Sequence, residues 1–197
     1  MTAIRKALDF MLHKQEPYPA FAIDRYWNLV LTNDAADRLL AAFIDLETLQ
    51  SQFCQDGKVN LMRVMFHPQG LRPFVVNWED FAGPLLRRVH REAMSTPYGS
   101  MNEAAQHGLV NANGQSDRSV ELFYELMSYP GVSDIWQTSN RVAQSTLLLT
   151  VHLKRHPLEL QFFSTIATLG TSYDITLQEL RIECLFPADE ATEQSWK

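Results

Sequence analysis

Long apolar runs are missing from this 197-residue sequence, and cysteine and glycine are scarce. A membrane-spanning helix needs about 18 consecutive apolar residues, and no such stretch occurs. The opening stretch, MTAIRKALDFMLHKQEPYP, has no continuous apolar segment and so does not predict a signal peptide. The two cysteines, Cys54 and Cys184, lie far apart, which is typical of a reduced, cytoplasmic chain.

Basic charge is also in short supply. The chain has 17 basic and 23 acidic residues, which gives a net charge of −6. Nucleic acids and anionic membranes both need a basic surface, so we expect this chain alone to bind neither. Charged residues make up only 20 % and apolar residues 46 %, which favours one folded domain with a sizeable core.

Motifs for catalysis and metal binding are absent as well. The eight glycines are spread thinly, and no G-x-G-x-x-G or G-x-x-x-x-G-K-[ST] loop is present to hold phosphate. Neither G-x-S-x-G nor H-E-x-x-H occurs. His152 and His156 have H-x-x-x-H spacing, but on a strand that spacing separates them by about 13 Å, too far for one ion. The sequence therefore predicts no catalytic residue, no cofactor and no metal site.

The sequence opens on an amphipathic pattern. Residues 2–15 predict a helix, and its apolar residues recur at i, i+4, i+7 and i+8. These residues are Ile4, Leu8, Met11 and Leu12. Such a stripe docks either on its own domain or on a second copy of the chain.

Two strands and several helices are expected next. Residues 20–24 and 27–32 predict strands, and Asn33 is placed to cap the helix that follows. Asn60 caps a second, short helix, and Asn77 starts a longer one. Further helical spacing occurs in SVELFYELM and in SDIWQTSNRVAQ, where Ser133 is the expected cap. Pro84 removes a backbone donor from the long helix and should bend it.

The C-terminal third changes to a period of two. STLLLTVHLK, LELQFFSTIATL and LQELRIECLF each alternate apolar and polar residues, which predicts three antiparallel strands. In the last of them, Leu180, Ile182, Cys184 and Phe186 alternate with Glu179, Arg181 and Glu183. Residues 188–197 predict an exposed acidic tail.

These elements predict an α+β fold. Two strands, several helices and three further strands form a five-stranded antiparallel sheet with helices over one face. We expect an N-terminal linker or dimerisation helix over residues 1–16, the main domain over 17–187 and the acidic tail over 188–197.

The order of elements resembles that of a PAS domain, and Asp24, Trp27 to Leu31 and Asn33 fit the opening of its pattern. A closer resemblance is carried by four long segments: YPAFAIDRYWNLVLTNDAA, NLMRVMFHPQGLRPFVVNWEDFA, LLRRVHREA and HPLELQFFSTIATLGTSYDITLQELRIECLFPADEAT. They resemble the ligand-binding domain of MmyB-like transcription regulators. Together they span roughly residues 4–192.

The resemblance implies a PAS-like domain that binds a small effector, with fatty acids as candidates. In that family the domain usually follows a helix-turn-helix domain of the XRE class. The short segment before the first predicted strand contains no helix-turn-helix. We therefore expect either a piece of a longer regulator or a stand-alone sensor. We expect the protein to form a homodimer and to contact DNA only through that other domain.

A sheet covered by helices on one face can enclose a ligand cavity. The expected lining is aromatic and aliphatic: Phe66, Trp78, Phe81, Leu85, Phe123, Trp136, Leu149, Leu160 and Phe162. For each of these residues the alternative is plain core packing. Arg63 and Arg72 are candidates to clamp a ligand carboxylate, and the alternative for both is a structural or surface ion pair. His67 and Asn77 are further candidates to orient a ligand head group. The alternative is a turn residue for His67 and a helix cap for Asn77.

Three functions remain open at this point. The first is ligand sensing, for which a ligand-sized cavity is the discriminating feature. The second is a dimerisation or interaction module without a ligand, favoured by a cavity of only a few water molecules. The third is an enzyme acting on a small apolar substrate, which needs convergent acid, base or nucleophilic groups in the cavity.

Overall fold

The computed structural model describes residues 3–94, 118–141, 148–168 and 180–196. Eight α-helices occur among these residues: α1 Ala3–Lys14, α2 Asp34–Phe43, α3 Leu46–Phe53, α4 Leu61–Phe66, α5 Trp78–Met94, α6 Arg118–Ser128, α7 Val132–Arg141 and α8 Glu190–Trp196. The strands are β1 Ala20–Ile23, β2 Leu29–Thr32, β3 Cys54–Gln55, β4 Lys58–Val59, β5 Thr150–Arg155, β6 Leu158–Thr168 and β7 Arg181–Pro187. None of the described helices is long and apolar enough to cross a membrane.

Five of the strands form one antiparallel sheet in the order β2-β1-β7-β6-β5. The predicted α+β fold is confirmed, and it is consistent with a PAS-like architecture. The sequence prediction missed α3 and the small hairpin of β3 and β4. The sequence did contain a signal for α3, namely a capping residue. Asp45 accepts a hydrogen bond from the Thr48 amide at 2.7 Å and so caps this helix.

The sheet has two different faces, which β7 illustrates. Across the β1–β7 pair, Phe21 lies opposite Glu183 and Ala22 lies opposite Ile182. We call the side with Phe21 and Glu183 the front face, and the side with Ala22 and Ile182 the back face. Most helices bury their apolar stripes against the front face, where the larger core cluster lies.

Helix α1 covers part of the back face. Leu8 and Leu12 are each only 2 % exposed and pack with Ala20, Ala22 and Ile182 in a second, smaller cluster. The helix predicted over residues 2–15 is thus confirmed within the described range. Met11 points away and is 41 % exposed. The stripe therefore docks on its own domain through Leu8 and Leu12, and Met11 lies on an apolar edge of the helix that faces solvent.

The predicted start of the second strand at Trp27 is wrong. β2 begins at Leu29, and Trp27 lies in the turn with φ 67° and 2 % exposure. The Asp24 carboxylate accepts hydrogen bonds from the amides of Tyr26 and Asn28, both at 2.9 Å. These bonds favour a turn over an extended strand.

The predicted caps at Asn33 and Asn60 are confirmed. Asn33 Oδ1 accepts from the Ala36 amide at 2.9 Å, and its Nδ2 donates to the carbonyl of Leu12 at 3.2 Å. Asn60 Oδ1 accepts from the Met62 amide at 3.1 Å. Asn33 is nearly buried, so this one side chain joins the start of α2 to the end of α1.

The predicted cap at Ser133 is wrong, and the predicted cap at Asn77 holds only for the main chain. Asn77 directly precedes α5, and its carbonyl accepts from the Phe81 amide at 3.0 Å. Asn77 bonds to the edge strand, donating from Nδ2 to the Thr150 carbonyl and accepting at Oδ1 from the His152 amide, both at 2.9 Å. An unpaired strand edge needs such partners, which explains this use of the amide. Ser133 lies inside α7, which begins at Val132. Pro84 lies inside α5, as the sequence indicated.

The predicted exposed tail is a helix over most of its length. Asp189 accepts from the Thr192 amide at 2.7 Å and starts α8. The buried Thr192 hydroxyl accepts from the Gln161 amide at 2.8 Å, and Trp196 Nε1 donates to the Pro17 carbonyl at 2.9 Å. The helix therefore packs along β6, where β7 has ended. The last residues of the predicted helix SDIWQTSNRVAQ and the first residues of the predicted strands STLLLTVHLK and LQELRIECLF lie outside the described residues.

Candidate functional site

An apolar cavity lies between the front face and the helices. Its described lining consists of thirteen apolar residues, Phe21, Leu39, Leu40, Leu61, Met62, Met65, Leu71, Phe81, Leu85, Leu149, Val151, Leu153 and Leu185, together with Ser164 and Glu183. The cavity volume is about 60 Å³. That volume holds a few water molecules and is well below the ~300–1,000 Å³ of typical ligand pockets.

The alternation of the strands supplies the floor of this cavity. Val151 and Leu153 lie on the same side of β5, and Leu153 is opposite Leu160 of β6 in the sheet. Helical stripes supply the roof, with Met62 and Met65 of α4 three positions apart. The cavity therefore follows from the packing of one helical layer on one sheet face.

The polar end of the cavity is formed by Glu183 and Ser164. Glu183 lies on β7 between Phe21 of β1 and Ile166 of β6. Glu183 is only partly buried, yet the loss of hydration raises the pKa of its carboxyl, and the charges of Arg88 and Arg181 and the Ser164 hydrogen bond oppose this only in part. An ionisable group in an apolar cavity is the arrangement expected of a functional site.

A charged cluster around Trp27 lies near this end. The guanidinium carbon of Arg88 is 4.8 Å from the centre of the Trp27 ring, and that of Arg181 is 4.3 Å from it. Glu92 joins the two arginines, at 3.0 Å to Arg88 Nε and 2.5 Å to Arg181 Nη1. The cluster ties the first turn of the sheet to α5 and β7.

A second polar cluster is centred on Arg63. Its Nε and Nη2 donate to the two oxygens of Glu125 at 2.8 and 2.7 Å, and Tyr129 donates to the same carboxylate at 2.7 Å. Burial pushes the pKa of Glu125 upward, but the hydrogen bonds from Arg63 and Tyr129 outweigh it and hold that pKa below its usual value. Burial and the bond to Glu125 raise the pKa of Tyr129. This cluster fixes α4 to α6.

Residues 4–105 match the family model of the MmyB-like transcription regulator ligand binding domain. The chain belongs to this family. The match covers slightly more than half of the 197 residues. A search of curated proteins finds no match.

In this MmyB-like domain, three of the predicted lining residues do line the cavity: Phe81, Leu85 and Leu149. Phe66, Leu160 and Phe162 are fully buried in the large core cluster and do not reach the described cavity wall. They contact other parts of the same core.

The remaining predicted aromatic residues pack in pairs. The Trp78 ring lies edge-on to Phe66 at 5.2 Å, and the rings of Phe123 and Trp136 are also 5.2 Å apart. His90 contacts both members of the second pair at 4.9 Å. None of these three residues, Trp78, Phe123 or Trp136, belongs to the described cavity lining.

The two predicted carboxylate clamps also lie away from the cavity. Arg63 is held by Glu125, and it borders a separate polar groove of about 380 Å³. The guanidinium of Arg72 lies 5.1 Å from the centre of the Trp78 ring. His67 Nδ1 accepts from the Gln69 amide at 3.1 Å, which is the contact of a turn residue.

Sequence reasoning missed Glu183, Ser164 and ten of the thirteen apolar lining residues, among them the two methionines of α4. Glu183 belonged to the polar half of the cleanest alternation, and that half normally faces water. The usable signal was that α1 also needs an apolar face to cover. If Ile182 packs against α1, the side chains on the other face of β7 must face the main helical layer.

The described residues contain no group of three His, Cys, Asp or Glu side chains arranged to hold a metal ion. His152 Nε2 instead lies 2.8 Å from Glu159.

For the enzyme alternative, the described cavity lining offers one acid and one hydroxyl, Glu183 and Ser164. Acyl transfer by a serine needs a base and an orienting group in addition to the hydroxyl.

Proposed function

We propose that this domain is the effector sensor of a cytoplasmic transcription regulator and binds a small, largely apolar molecule in the front-face cavity. The observation that carries this proposal is a cavity with thirteen apolar lining residues and one polar end at Glu183 and Ser164. Such a lining buries a hydrocarbon chain and orients a single head group. The family resemblance makes fatty acids the candidate class of ligand.

Binding requires the cavity to widen, since about 60 Å³ is too small for a fatty-acid chain. Met62 and Met65 form part of the wall, and methionine has three rotatable bonds and adapts its shape to its neighbours. A ligand would therefore select a wider packing of α4 and α5 on the sheet. The effect on the regulator is a shift of population between two packings.

The signal has a short path to α1. Phe21 faces the cavity, and its neighbours Ala20 and Ala22 on the same strand contact α1 across the sheet. Asn33 adds a second connection, because it caps α2 and also bonds the Leu12 carbonyl at the end of α1. A shift of β1 or α2 would move α1, which we propose carries the change to a DNA-binding helix-turn-helix domain.

Native mass spectrometry of protein purified from cells tests this function. We expect a bound lipid-sized molecule, and we expect at least one member of a panel of saturated fatty acids and alcohols of equal chain length to raise the melting temperature of protein stripped of that molecule. The absence of any bound molecule, together with no thermal shift across the panel, would contradict ligand sensing.

A dimerisation module without a ligand is the second candidate. The small cavity favours it, and so does the outer edge of α1, where Phe10 is 63 % exposed beside Met11. Analytical ultracentrifugation of the wild type and of Phe10→Ser tests it. A homodimer that Phe10→Ser converts to monomer supports this module, and a wild-type monomer at high concentration contradicts it. A dimer that also binds ligand is compatible with both functions.

A further inference from the structure

The head-group end of the cavity is acidic. Glu183 is the only ionisable residue among the described lining residues, and Ser164 is the only other polar one. A carboxyl group keeps at least one oxygen that accepts hydrogen bonds whether or not it is protonated. The cavity therefore offers an acceptor to any ligand, at any pH at which the protein is folded.

The nearby cations are already engaged. Arg88 and Arg181 both pair with Glu92 and lie on the faces of Trp27, and neither belongs to the described cavity wall. Arg63 pairs with Glu125 in the other polar cluster. A ligand carboxylate in this cavity would lose its hydration beside Glu183, with no cation on the described lining to replace that hydration.

We propose that the ligand carries an uncharged, hydrogen-bond-donating head group, as in an alkyl alcohol, and that Glu183 accepts its hydrogen bond. This inference rests on the proposed function of the same cavity. The Ser164 hydroxyl, which bonds Glu183, orients the accepting carboxyl. The structure thus favours a hydroxyl over the carboxylate of a fatty acid.

Three probes of equal chain length test the head group: decanol, decanoate and methyl decanoate. Calorimetric titration of the wild-type protein at neutral pH should give decanol the tightest binding. We expect decanol to bind about 3–10-fold more tightly than the ester, the worth of one hydrogen bond, and at least about tenfold more tightly than decanoate.

Variants at Glu183 separate the hydrogen bond from the rest of the cavity. Glu183→Leu removes the acceptor, so the advantage of decanol over the ester should disappear. Glu183→Gln keeps an acceptor in nearly the same shape, so most of that advantage should remain. Glu79→Gln, on the exposed side of α5, is the control and should leave all three affinities unchanged.

The outcomes distinguish the two proposals. Decanoate binding as tightly as decanol, or equal binding of decanol and the ester, overturns the head-group assignment while leaving an apolar sensor in place. Failure of all three probes to bind overturns ligand sensing and the head-group assignment together.

Discussion

The two faces of the sheet are covered in opposite ways by side chains of the same strands. On the back face, Leu8 and Leu12 of α1 pack on the small residues Ala20 and Ala22 in an apolar cluster. On the front face, larger side chains enclose a cavity, and β7 contributes two charged residues, Arg181 and Glu183.

One strand thus contributes to both layers, with its back-face residues packed on α1 and its front-face residues lining the cavity. Residues of β7 that look inward by sequence, such as Ile182, hold α1 in place. Residues that look outward by sequence, such as Glu183, reach the cavity. Buried polar groups reduce stability unless they are paired, so the front face is where we expect selection for function.

Removal of Trp27 should have the largest effect. Trp27→Ala leaves a void and takes the ring away from Arg88 and Arg181, so we expect a loss of about 3–5 kcal/mol in the free energy of unfolding. Urea denaturation measures it. Trp27→Phe keeps an aromatic face for the arginines and should lose clearly less. Equal losses for the two variants would contradict a role for the stacked ring.

Loss of the α1 contact should come next. Leu12→Ala deletes a buried side chain from the back face and should reduce the free energy of unfolding by about 2–4 kcal/mol. Phe10→Ala, on the exposed side of the same helix, should stay within about 0.5 kcal/mol of wild type. If both variants behave alike in urea denaturation, α1 does not dock on the sheet through Leu12.

Filling the cavity should distinguish the two kinds of packing on the front face. Val151→Leu adds a methylene where space exists, so stability should stay within about 1 kcal/mol of wild type. Ligand affinity should fall. Val64→Leu makes the same change in a filled part of the core and should lose about 1–3 kcal/mol. A large loss for Val151→Leu would show that the cavity is not open space.

The smallest expected effect is the pH dependence of Glu183. Because burial raises its pKa above the usual 4.5, the folded chain holds this proton more tightly than the unfolded chain. Glu183 therefore lowers the free energy of unfolding progressively as pH rises from 4.5 through the folded pKa. The stability of Glu183→Gln relative to wild type should increase over that range in urea denaturation at several pH values. If the difference in stability between Glu183→Gln and wild type is constant with pH, the pKa of Glu183 is not raised by the fold.

The order of elements was predictable because each local signal agreed with the fold. Asn33 and Asn60 preceded apolar helical spacing, and three alternating segments marked the C-terminal strands. Local signals failed where a distant partner decided the outcome. Asn77 bonds β5 rather than its own helix. The turn at Trp27 is a different case, a local signal that was overlooked, because Asp24 accepts from the Tyr26 amide only two residues on.

The cavity was less predictable than the fold. Phe81, Leu85 and Leu149 were identified because apolar stripes must face the sheet. Phe66 and Phe162 carry the same pattern but fill the core beside the cavity, and periodicity cannot separate a filled site from an open one. Glu183 was missed because a charged residue on an alternating strand is normally exposed.

Methionine-methyl NMR tests the central claim most directly, that a small apolar molecule enters between the front face and the helices. Met62 and Met65 line the cavity, and Met11 lies exposed on α1 beyond the back face. Titration with decanol and decanoate should shift the methyl signals of Met62 and Met65 saturably with at least one probe and leave that of Met11 unchanged. Unmoved signals of Met62 and Met65 with both probes, or a shift confined to Met11, would contradict the claim.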